Sequence, residues 1–173
     1  MDQRPTDTAR EAQMQSQDIL QMVSGAAVAL AGFSGVVAVL GRRVSGDWTS
    51  QELLQLRTLV EPSLIALFGS FIPGILQLVS PSESLTWRLS NGVLGLLGVA
   101  GVAAFISRSL STSTTIGQRV LLTAAVTSVG AQLLAAAGVL TQYELIFVLG
   151  LVLALVVAAH NFLLLLFSMG RAS

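Results

Sequence analysis

Five long apolar runs limit what this chain can fold into: residues 19–40, 59–79, 89–106, 120–140 and 145–167. A helix needs about 20 mostly apolar residues to cross the hydrocarbon core of a bilayer, and all five runs are close to that length. The rest of the composition agrees. A mean hydropathy of +0.78 with 10% charged residues lies outside the range of soluble globular chains. The expected fold is an all-α integral membrane bundle of five transmembrane helices. It forms one domain over residues 19–168, between a polar segment at 1–18 and a short tail at 169–173.

The formal charge is zero, but the nine basic residues, all arginine, are unevenly placed. Arg42, Arg43, Arg57, Arg108, Arg119 and Arg171 fall on one side of a five-span arrangement, and Arg4, Arg10 and Arg88 on the other. The positive-inside rule then places the N-terminus outside and the C-terminus in the cytoplasm. Trp87 and Tyr143 fall at the outer boundary and Trp48 near the inner one, where interfacial aromatics belong. The polar start, MDQRPTDTAREAQMQSQD, does not resemble a signal peptide. The run behind it is too long for an h-region and ends at Gly41, Arg42 and Arg43, so it reads as an uncleaved span. The expected location is the bacterial cytoplasmic membrane.

Several chemistries are excluded early. With no cysteine and one histidine, a single chain builds no disulfide, thiolate metal site or bis-histidine haem site. There is no phosphate-binding loop, HExxH or calcium-loop spacing. No basic patch supports nucleic-acid binding. No cofactor is expected.

Small residues mark where helices are expected to meet. Gly92, Gly95, Gly98 and Gly101 recur every third position of the third span, and Ala124, Ser128, Gln132 and Ala136 every fourth position of the fourth. Such rows let backbones approach closely, which drives association in lipid, where the hydrophobic effect between helices is absent. The fifth span, rich in leucine and valine with one small row at Gly150, Ala154 and Ala158, is expected to be peripheral and largely lipid-facing. Offsetting the chain by 66 residues aligns Gly32 with Gly98, Gly35 with Gly101 and Arg42 with Arg108. This reads as two repeated helical hairpins plus a fifth helix.

The second helix is expected to start at a capping box, Thr49 with Glu52, and to kink at Pro62 and again near Pro73. Beside the first kink lies Glu61, four residues after Arg57 on the same helical face. Two readings stand for it: an interfacial ion pair, or a proton or ion site, since intramembrane carboxylates are costly and usually functional. His160 and Asn161, in the fifth span at a similar level, are either further site residues or hydrogen-bonding glue between helices. Arg88, Asn91, Gln77 and Gln132 belong to the opposite half. Between the two polar layers the spans are Gly, Ala, Val and Leu, whereas a pore through one subunit needs polar residues along its length.

GFSG at Gly32 to Gly35 resembles the GxSG motif of the rhomboid intramembrane serine proteases, with Ala159 and His160 similar to their histidine helix and Trp87 and Arg88 to their loop pair. The resemblance implies a Ser34 nucleophile activated by His160. The chain departs from that family in having five spans rather than at least six. It lacks a second histidine for the oxyanion motif, and Ser34 lies within a continuous helix.

The functional expectation is a protein without enzymatic activity that works by helix association, as a homo-oligomer or a subunit or accessory of a hetero-complex with other membrane proteins, in contact with membrane lipids. A small oligomeric proton or ion channel or transporter using Glu61 and His160 is the alternative, and an intramembrane serine hydrolase the remote one.

Overall fold

The computed structural model describes residues 7–45, 50–79, 82–109 and 116–169. Five helices account for nearly all of them: α1 (Asp7–Ser45), α2 (Ser50–Val79), α3 (Glu83–Ser109), α4 (Ile116–Ala136) and α5 (Tyr143–Met169). Each is long and apolar enough to cross a membrane. Large apolar side chains ring the outside, among them Leu78, Val79 and Ile116, each more than 80% exposed. So much exposed apolar surface is the signature of a body solvated by lipid. The expected capping box at Thr49 and Glu52, Trp48, Arg4 and Arg171, and the side chains of Arg10, Arg42, Arg43 and Arg108 fall outside what is described.

The end of the bundle bearing the α2–α3 and α4–α5 connections is called here the upper end, and the end bearing the α1–α2 and α3–α4 connections the lower. Helix α1 packs on α2, and α3 on α4, forming two hairpins; α5 touches all four other helices. The fifth helix is thus central, not peripheral as its composition suggests. It buries Phe147, Gly150, Leu151, Ala158, Asn161 and Leu165 in one stripe at helical spacing. Leucine packs equally well against lipid or protein, so apolar content does not separate a central helix from an outer one.

The glycine row of α3 meets α4 along its upper part. A Cβ at Gly92 would lie 3.6 Å from the Cβ of Ala136, at Gly95 2.9 Å from Leu133 Cδ2, and at Gly98 2.5 Å from Val129 Cγ2. At Gly101 nothing lies within 4 Å. A row at three-residue spacing winds round the helix, so Gly101 has left the α4 face and turns to other surroundings.

The packed core occupies the upper half, where Val23, Ala27, Ala66, Trp87, Leu94, Phe147 and Leu151 form one cluster. The rings of Trp87 and Phe147 meet edge to face at 5.8 Å, a favourable quadrupolar arrangement. Helix α2 runs unbroken through Pro62 and Pro73. Neither proline supplies an N–H to the carbonyl four residues earlier. The buried serines of the spans turn back on their own helices: Ser63 donates to Leu59 O at 2.8 Å, Ser70 to Leu67 O at 2.7 Å and Ser90 to Thr86 O at 2.8 Å.

Candidate functional site

Helices α2 and α5 form one closely packed wall and α3 and α4 the other; below the core the two walls separate. Between them lies a half-enclosed cleft of about 180 Å³. Its sides are Ile65, Leu94, Val102, Leu121, Leu122, Val129, Leu153, Ala154 and Val157, with Gly98 and Gly101 thinning the α3 wall. Its polar groups come at two levels. Thr58, Glu61, Gln118 and Asn161 line the lower part, and Ser128 and Gln132 the upper, blind end.

The upper end is buried among Leu94, Gln132 and Gly150, and above it a polar lattice joins the helices. Asn91, fully buried, donates through Nδ2 to Trp87 O at 2.8 Å and to Tyr143 O at 2.7 Å, tying α3 to the first turn of α5. Arg88 Nε donates to Ala136 O at 3.1 Å, satisfying a carbonyl at the end of α4. That end is a Schellman motif. The N–H of Val139 reaches Leu134 O and that of Gly138 reaches Ala135 O, both at 3.0 Å, with Gly138 at φ +82°. A residue with a Cβ is strained at that φ, and here the Cβ would also press on the Arg88 guanidinium at 3.1 Å.

Gln132 is 3% exposed, and its oxygen has no hydrogen-bond partner among the described residues. Its Nε2 lies 3.4 Å from Ser128 Oγ, a long contact, and sits in the space where Gly150 lacks a side chain. Gly150 therefore makes the niche that lets a glutamine amide reach the cleft.

The residues expected to act together are divided by the structure. Glu61 and Asn161 both line the cleft, whereas Arg57 and His160 do not. Arg57 pairs with Glu61 through its Nε. Their side chains are 61% and 40% exposed, so the pair contributes no more than about 0.5 kcal/mol, and the Arg-before-Glu order is the weaker one on a helix. Asn161 donates to Val157 O at 2.8 Å in its own helix. The His160 ring lies against Gly117 at the start of α4, and its Nε2 is buried without a hydrogen-bond partner among the described residues. Ser34 donates to Ala31 O at 2.5 Å, within α1. No hydrogen bond joins Ser34 to His160 among the described residues, although α1 and α5 meet within two residues of both, where the rings of Phe33 and Phe162 are 6.0 Å apart.

Of the packing rows, Gly92, Gly95 and Gly98 serve the α3–α4 seam with Ala136, while Gly101, Ser128 and Gln132 line the cleft. Sequence reasoning missed Gln118 and the pairing of Gly150 with Gln132. A glutamine in the first turn of a span reads as interfacial, and a glycine in a leucine-rich helix reads as packing, so neither carried a signal of its own.

On the outer flank, α4 and α5 leave a shallow groove lined by Thr123, Thr127, Ala131, Ile146, Leu149 and neighbouring residues. Thr123 and Thr127 are exposed and donate to the backbone of their own helix, each at 3.0 Å. No group of three His, Asp or Glu side chains suited to a metal forms among the described residues.

No protein-family model matches the chain, and no curated protein or solved structure is significantly similar to it.

Proposed function

We propose that this protein is a non-enzymatic membrane protein that holds a small, mostly apolar molecule inside the bilayer, in the cleft between the α2–α5 and α3–α4 walls. One observation carries the reading: the cleft has apolar sides, polar groups at both ends and a closed upper end. Such pockets, apolar with a few convergent polar groups, are the usual form of small-molecule sites. A cleft whose upper end is buried among Leu94, Gln132 and Gly150 is a receptacle rather than a conduit, which weighs against ion passage through one chain along Glu61. The volume sets the scale of the ligand. A dry apolar cavity of about 150 Å³ holds benzene, so this cleft suits one ring or a short chain segment, not a whole lipid.

A second reading, association as a homo-oligomer or as subunit or accessory of a membrane assembly, is favoured by the α4–α5 groove with its outward small and hydroxyl-bearing residues. Small faces of this kind let a further helix approach closely. The two readings are compatible. In the membrane the N-terminus lies outside and the lower end faces the cytoplasm, as the arginine distribution supports. The two hairpins are an internal repeat in this reading, with α5 added between them.

Native mass spectrometry of the protein extracted from its own membrane in mild detergent tests both. We expect a small bound mass on the wild type that is lost from Gly101→Leu, where the open space beside Gly101 admits the new side chain into the cleft. Equal masses on both proteins would remove the cleft from the function. A defined oligomer or hetero-complex would support association, and a bare monomer would speak against it.

A further inference from the structure

The amide of Gln132 is built into the blind end of the cleft at a cost that packing alone does not explain. A buried polar atom without a partner is destabilising unless something offers it a hydrogen bond. Here the glutamine is 3% exposed, its Oε1 is unpartnered, and Gly150 leaves the niche its Nε2 fills. Around it stand Leu94, Val129 and Leu153. A water at this point would find only Gln132 and Ser128, the low end of the roughly two to four partners a buried water holds. A hydroxyl carried on an apolar body needs only one partner, because the walls solvate the rest of it.

We propose that the cleft recognises a ring-sized molecule bearing a hydrogen-bond donor, an alcohol or phenol hydroxyl, which enters donor-first and donates to Gln132 Oε1. The proposal rests on the cleft reading above. The terminal torsion of a glutamine is broad, so a small rotation presents the oxygen to the ligand while Ser128 keeps the amide nitrogen in reach.

The test uses the full-length protein in lipid discs and two probes of nearly equal size followed by ¹⁹F NMR titration: 4-fluorophenol, which donates, and 4-fluoroanisole, which only accepts. One net hydrogen bond corresponds to about a tenfold affinity ratio, so saturable 4-fluorophenol binding should be about tenfold tighter. In Gln132→Leu, and in Gln132→Met if the leucine variant does not fold, the ratio should fall to near one. Equal binding of the two probes by the wild type, or a preference that survives both substitutions, overturns the proposal. If the probes bind equally but Gly101→Leu excludes them, the cleft stands and the hydroxyl specificity falls. If neither binds saturably, or Gly101→Leu changes nothing, the cleft reading falls with it.

Discussion

Gly150→Leu is expected to destabilise the protein by about 2–3 kcal/mol, toward the upper end of the range for overpacked interiors, and to weaken small-molecule binding in the cleft at least tenfold. The reason is local. A Cβ at position 150 runs into the Gln132 amide and lies 3.3 Å from Leu94 Cδ2, so α5 has to move away from α3 and α4 or Gln132 has to leave its niche. A companion substitution separates the two. With Gln132→Ala the niche is empty and the leucine is accommodated, so the double variant should be more stable than Gly150→Leu alone, a non-additivity expected of residues in direct contact. Thermal unfolding in detergent micelles reads the stability term and probe titration the binding term. Additive losses would mean that Gly150 and Gln132 do not share the space assigned to them.

Asn91→Ala is expected to have the next largest effect. Its Nδ2 donates to both Trp87 O and Tyr143 O from a fully buried position. Side-chain hydrogen bonds between membrane helices average about 0.6 kcal/mol and reach about 1.7. Truncation also leaves a small void beside Trp87 and Tyr143, so the total is about 2 kcal/mol when a cavity term is included. The loss should appear as earlier thermal unfolding, with probe binding weakened only through the population of folded protein. Arg57→Ala gives the scale for comparison, since the exposed pair with Glu61 contributes little. A smaller effect at Asn91 than at Arg57 would mean that the upper lattice does not hold α3 to α5.

Much of this architecture is legible in the sequence because the bilayer demands it. Five runs of spanning length imply five helices; at the α3–α4 seam the nearest atoms facing Gly92, Gly95 and Gly98 belong to Ala136, Leu133 and Val129, of which only Ala136 is in the small row of α4. What composition hides is direction. Phe147, Leu151 and Leu165 read as lipid-facing, yet each is fully buried, because a helix interior and a lipid tail are equally apolar. Glu61 and Asn161 were singled out by their cost in a membrane, and both line the cleft. His160 was singled out on the same ground and turns to Gly117 instead, since adjacent helical residues point about 100° apart. Gln132 was read as packing in a small-residue row, and Gly150 as one small residue among leucines. Only the crossing of α4 over α5 gives them a common purpose. The polar residues of the cleft come from three helices, α2, α4 and α5, and no motif joins them in the sequence.

The most direct measurement of the central claim is photolabelling with a small aryl diazirine in native membranes, followed by mapping of the labelled peptides. An occupied cleft predicts saturable labelling of Val102, Leu121 and Leu122, competed by 4-fluorophenol and lost in Gly101→Leu. Labelling confined to outward side chains such as Phe68, Leu78 and Leu163, indifferent to competitor and to the substitution, would contradict it.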